Sequence, residues 1–252
     1  MAAVPQTVLP ETKEGDRMKG LLRMHYYIIG GWKMLLFLVT LLFLISFFFM
    51  SHTIYLIFMQ AVIVGMPIGV TPNALYYAAA QSRWHTYIRT LPLTRTQFVD
   101  DQYTFSLLSA GFAGLLAAFT ASVRLMRTAD TLDALPFAPS GAEITLMCTA
   151  NAVTMVLMMA AVIHLLHFQR KRKRNTVTYL IALTFGLLFF FMYSTSFVHF
   201  SQALVRCEIA PFSPFTRLLP YLMTAVSAVC FALSWLYTRR AYCRRRRKKV
   251  TA

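Results

Sequence analysis

Six stretches of this chain run 17 to 25 residues without one Asp, Glu, Lys or Arg. They are Met34–Met50, Ile54–Val70, Tyr103–Val123, Ile144–Phe168, Thr176–Val198 and Leu218–Tyr237. As a helix, about 20 mostly apolar residues cross the hydrocarbon core of a bilayer. A charge at the centre of such a helix costs about 2.5–3.5 kcal/mol on insertion scales, so its absence from all six has a physical cause. The first two stretches are joined only by Ser51, His52 and Thr53 and make a tight hairpin. The first reads as a span rather than a cleaved leader, because no small-residue cleavage site follows it. The expected fold is all-α, an integral membrane protein with six transmembrane helices.

Composition removes the alternatives. The 252 residues are 58% hydrophobic and 13% charged, against about 45–50% and about 25% in soluble domains. Disordered chains are poor in apolar residues, and this one is rich in them. The net charge of +16 would suit nucleic acid only on a folded polar domain. No polar stretch here is long enough to form one, so nucleic acid is not an expected partner.

The basic residues fall on one side of the six spans. Lys13 to Lys33, the loop with Arg83, Arg89 and Arg95, the run Arg170–Arg174, and Arg239 to Lys249 hold 21 of the 25. The other side has Arg124, Arg127, Arg206 and Arg217. Lys and Arg concentrate in cytoplasmic loops, so both termini are expected in the cytoplasm. The basic runs serve as topology anchors, and they also suit the anionic headgroups of membrane lipids.

Several chemistries lack their residues. There is no G-x-x-x-x-G-K-[ST] loop to cradle ATP phosphates, no H-E-x-x-H and no G-x-S-x-G. His164 and His167 share a helix face, but no Asp, Glu or Cys accompanies them nearby. They read as interfacial histidines, whose amphipathic rings suit that depth. Cys148 and Cys230 sit in apolar runs, where cysteine acts as a small hydrophobe. A Cys148–Cys207 disulfide requires both to face the outside. Ion-coupled carriers need ionisable groups within the membrane, and these spans have almost none. The energy for any transport would have to come from a partner, so a docking surface is expected. No enzyme activity is expected of the chain alone.

The loop between the second and third spans, R83-W-H-T-Y-I-R-T-L-P-L-T-R-T-Q-F-V-D-D-Q-Y103, is the most distinctive segment. Trp84, Tyr87 and Ile88 recur at helical spacing. Leu91-Pro92 ends that helix, because a residue before proline is pushed out of the α region. Thr94 with Gln97 is a capping box, which starts a new helix at Arg95. Asp100 and Asp101 follow in its second turn. On spacing alone, the hairpin could equally lie on lipid with Trp84 and Tyr87 as belt residues.

This loop resembles the segment W-x-x-Y-x-x-x-L-P-x-[ST]-R-x-x-x-V-x-x-x-Y of bacterial ABC-2 type transporter permeases. Trp84, Tyr87, Leu91, Pro92, Thr94, Arg95, Val99 and Tyr103 fall on its positions. Acidic residues often flank the family's tryptophan; here Gln81 and His85 stand near it. The resemblance implies a coupling helix that docks on a separate ATPase subunit through Arg83, Trp84, Tyr87, Leu91, Pro92, Thr94, Arg95 and Val99. It implies an amphipathic elbow helix over Met18 to Trp32, before the first span. Residues 1–17 would be a flexible polar extension, 18–240 the permease domain, and 241–252 a basic cytoplasmic tail.

The resemblance also implies a function: the permease subunit of an ATP-driven exporter in the bacterial cytoplasmic membrane. It would pair with a second permease, identical or related. The chain would bind no cofactor itself, with ATP and Mg held by the partner. The charge-free spans suit a hydrophobic or amphipathic cargo such as a peptide, a lipid or a drug. A non-transporting membrane sensor or assembly protein is the alternative. Gly65 and Gly69, with Gly111 and Gly114, are candidate helix contacts, either between two permeases or within one chain, since small residues let helices approach closely. Gln60 and Asn151 are polar residues within spans 2 and 4, suited to an interhelical hydrogen bond or to a substrate path. Pro211 and Pro214 suggest a break in the outer segment His199–Arg217, where the family often has re-entrant helices.

Overall fold

The computed structural model of the chain describes residues 64–72, 94–132, 140–169 and 214–250. Among these residues there is no strand. The elements are α1 (Met66–Gly69), α2 (Arg95–Leu132), α3 (Gly141–Gln169) and α4 (Pro214–Val250). Three spans long and apolar enough to cross a membrane lie in them: Thr96–Val123, Gly141–Phe168 and Arg217–Ala241. They match the third, fourth and sixth expected stretches. The elbow helix, the first and fifth stretches and most of the second lie outside the described residues.

Each helix starts where its sequence allows. Thr94 and Gln97 form the reciprocal box: the Thr94 amide donates to Gln97 Oε1 at 2.9 Å, and the Gln97 amide to Thr94 Oγ1 at 3.3 Å. Two of the donors orphaned at a helix start are thereby satisfied. No Pro or Gly cap follows in the next turns, so α2 continues into the membrane for 38 residues, about 57 Å. At α3 the Glu143 amide donates to Ser140 Oγ at 3.2 Å, an N-cap contact. The helix α4 begins at Pro214, and the missing N–H of proline is an orphan at that position anyway. The rest of the segment expected to hold a break, up to residue 213, lies outside the described residues.

The order of contacts along the helices gives their directions. Thr224 Oγ1 meets Thr154 at 2.9 Å and the Ala150 carbonyl at 3.1 Å, and Ser234 Oγ donates to the Ala161 carbonyl at 3.0 Å. The sequence separation stays between 70 and 74, so α3 and α4 run parallel. Ser106 meets His164, while further along α2 Gly114 meets Thr149 and Val153, so α2 runs antiparallel to α3. An ion pair of Arg217 with Glu143 at 3.5 Å joins the starts of α4 and α3. Of its span, α3 has 61% buried, against 44% for α2 and 28% for α4, which makes α3 the central helix.

Small residues set the closest approaches. Val64, Ile68, Ala110, Ala113, Leu116, Ala117, Ala152, Val156 and Leu157 form one apolar cluster. A Cβ on Gly65 would lie 2.7 Å from Met155 Cβ and 2.9 Å from the Ala152 carbonyl; one on Gly69 would lie 2.9 Å from Met159 Sδ. A Cβ on Gly114 would come within 3.0 Å of Val153. These three glycines thus serve contacts within the chain, against α3. Gly111 is exposed, with nothing within 4 Å of its Cβ position. Cys148 and Cys230 are free and buried, which removes the Cys148–Cys207 disulfide.

Gly65→Ala is expected to lower stability in detergent by about 1–3 kcal/mol, the usual effect of overpacking. Gly111→Ala should leave it unchanged or raise it by up to about 1 kcal/mol, through helix propensity. Thermal unfolding of both variants checks the contrast.

Candidate functional site

The α2 start is the one part of the distinctive loop within the described residues. Arg83, Trp84, Tyr87, Leu91 and Pro92 lie outside them, as does Gln60. Thr94 is exposed at the helix tip, and Arg95 is the first residue of α2. Val99 is fully buried, in a cluster with Tyr103 and Phe168 that Phe98, Ile163, Phe231 and Trp235 surround. Its side chain is available to this packing and not to a partner's surface.

Directly beyond the α2 tip, three helices meet through polar groups. Trp235 Nε1 donates to Asp100 Oδ1 at 2.7 Å. Arg239 Nη2 lies 3.4 Å from Asp100 Oδ2, and its guanidinium sits 5.3 Å from the centre of the Trp235 ring. The two carboxylate oxygens of Asp100 are thus divided between an indole and a guanidinium of α4. A hydrogen bond to an ionised carboxylate is about twice as strong as a neutral one. The Arg239 pair is partly exposed, so it adds less.

One turn further, Tyr103 Oη is 2.7 Å from Ser234 Oγ and 3.1 Å from Thr238 Oγ1. Each hydroxyl has one proton. Ser234 gives its proton to the Ala161 carbonyl, so Tyr103 donates to Ser234, and Thr238 donates to Tyr103. The chain of donors runs from α4 to α2, back to α4 and on to α3. Such aligned bonds polarise one another.

His164 completes the junction. It is fully buried, its Nε2 is 2.8 Å from Ser106 Oγ, and its ring centre is 4.3 Å from that of Tyr103. Ser106 Oγ also reaches the Gln102 carbonyl at 3.1 Å. With the Ser106 proton given to that carbonyl, His164 Nε2–H is the donor. The interfacial reading therefore fails for His164, because Tyr103 and Phe168 enclose the ring inside the bundle. His167 stays partly exposed one turn on.

Asn151 is buried in α3, 3% exposed, next to the Ala150 carbonyl that accepts from Thr224. Burial suits either of the two roles expected of it, an interhelical hydrogen bond or a place along a substrate path. The sequence reading missed the α4 half of the junction. Its signal is a stripe, Thr224, Ser227, Phe231, Ser234 and Thr238, which recurs every three or four residues and so lies on one helix face.

Tyr103→Phe is expected to lower stability by about 0.5–1.5 kcal/mol, the net worth of a hydrogen-bonded hydroxyl, with Ser234 still held by the Ala161 carbonyl. Unfolding in detergent, compared with Leu107→Ala on the exposed face of α2, measures it.

The comparison with known proteins bears on the whole chain. A family model described as ABC-2 family transporter protein matches residues 20–242. No curated protein and no solved structure matches. With a match over most of its length and helices built to cross a membrane, the chain belongs to the ABC-2 transporter family, as a membrane-spanning permease.

Proposed function

We propose that this permease is the membrane subunit of an ATP-driven exporter in the bacterial cytoplasmic membrane. It works with a second permease subunit, identical or related, and with separate ATPase subunits that hold ATP and Mg. The observation that carries this reading is the α2 start. Its capping box fixes Thr94 at the helix tip, directly after the segment Arg83–Leu93 that resembles the family's coupling helix. From that tip α2 continues without a break into the membrane. A push on the tip is then a push on a transmembrane helix.

Charge supports the orientation. The start of α2 and the ends of α3 and α4 meet at one face of the bundle. Arg239–Lys249 extends α4 beyond that face, and Arg170–Arg174 comes directly after α3 in the sequence; charge bias makes this side cytoplasmic. Because α3 and α4 are parallel, the chain must recross between them, the role expected of Thr176–Val198. The cargo is hydrophobic or amphipathic, in keeping with spans so poor in ionisable groups. ATP binding would close the ATPase pair, move the Arg83–Val99 segment and switch access across the membrane.

The test is recovery of partners from the native host in mild detergent. An ATP-binding subunit is expected with the parent chain. With Leu91→Asp combined with Arg95→Glu, recovery should fall by about 30-fold, the effect of losing interface anchors worth about 2 kcal/mol. The variant must still elute as a folded membrane protein. Recovery of no ATPase with the parent under several gentle conditions would overturn this reading in favour of a sensor or assembly protein.

A further inference from the structure

The α2 tip and the junction beyond it are too close to act separately. Asp100 lies six residues after Thr94, about 9 Å along the helix axis. It is tied to Trp235 and Arg239 of α4, and Tyr103 to Ser234 and Thr238 of the same helix. The same Ser234 is bonded to the Ala161 carbonyl of α3, and Ser106 of α2 to His164 of α3. Sliding α2 past α4 by one turn would move these partners about 5.4 Å apart, beyond any hydrogen bond. The buried groups, Tyr103, Ser234, Thr238 and His164, would then be left without these partners, at the cost of an unmade buried hydrogen bond. Packed contacts of this kind switch between discrete arrangements and do not deform continuously.

We propose that the Asp100–Trp235–Arg239 clamp, with the Tyr103 hydroxyl chain beside it, is the joint that carries motion of the coupling segment into α4. Asp100, Tyr103 and Trp235 are then positioning residues of the transport cycle. The stroke is not confined to the spans on either side of the coupling loop; it reaches the last span directly. It also reaches the helical extension of α4, which continues past Arg239 to Val250 with its basic residues. The inference rests on the coupling role proposed above for Arg83–Val99.

The experiment uses the intact complex with its ATPase, reconstituted in nanodiscs, after replacement of the four native cysteines. A reporter thiol, Arg240→Cys, stands one residue past the clamp on an exposed position. Its labelling by a water-soluble maleimide is timed without nucleotide and after trapping with ATP, Mg and vanadate. In the parent the rate should change by about 5-fold or more, the lower end of typical coupling between sites. Asp100→Asn with Tyr103→Phe keeps side-chain shape and removes the charge and the hydroxyl chain. Trp235→Phe removes the indole donor by a separate route. In both, the change should shrink to about 2-fold or less, while the ATPase stays bound and trapping still occurs. A purely structural defect would lower recovery of the complex instead.

A full nucleotide response in both variants, or none in the parent, overturns the inference. Failure of the parent to carry an ATPase shows at the recovery step, before any labelling. That outcome removes the coupling reading and this inference with it.

Discussion

Asp100 is a carboxylate near the start of α2, three residues before the charge-free stretch, and the way it is held sets how α2 meets α4. One oxygen of Asp100 takes the indole proton of Trp235 and the other faces Arg239. Those two residues are four apart on α4, so they present one helix face to a single carboxylate. The register of α4 against α2 follows from that geometry. Tyr103 repeats the constraint one turn deeper, with Ser234 and Thr238 again four apart. Beyond it the contacts are mostly alanines, glycines and aliphatic chains, with Thr224 bonded to Thr154 and the Ala150 carbonyl. The polar end specifies the arrangement and the small-residue stretch allows its closeness.

What could be read from the sequence was whatever has a local signature. The charge-free lengths mark α2, α3 and α4 as spans, because insertion depends on the segment itself. The Thr94–Gln97 box marks the start of α2, because both halves lie within one turn. The third stretch, from Tyr103, is the inner part of the helix that this box starts at Arg95, as expected where no breaker separates the cap from the apolar run. Pairings between distant residues have no such signature. Ser106 and His164 are 58 residues apart, and Tyr103 and Ser234 are 131 apart. Nothing beside His164 in the sequence marks it as buried, so it read as interfacial. The α4 stripe was legible as a polar face, though not which helix it would meet.

The family model spans residues 20–242. The described helices put the start of α2 beside the ends of α3 and α4, and Arg239 and Arg240 lie at that end. An ATPase acting there would push on a tip joined to all three helices at once. At the opposite end the Arg217–Glu143 pair joins the starts of α4 and α3.

The most direct measurement is photo-crosslinking in the native host, with p-benzoylphenylalanine placed at Thr94 on one tip of the bundle and, as control, at Ser140 on the other. Both positions are exposed. An adduct to an ATP-binding subunit from Thr94, with none from Ser140, is the expected result. No adduct from Thr94, or equal adducts from both ends, would contradict a permease driven through the α2 tip.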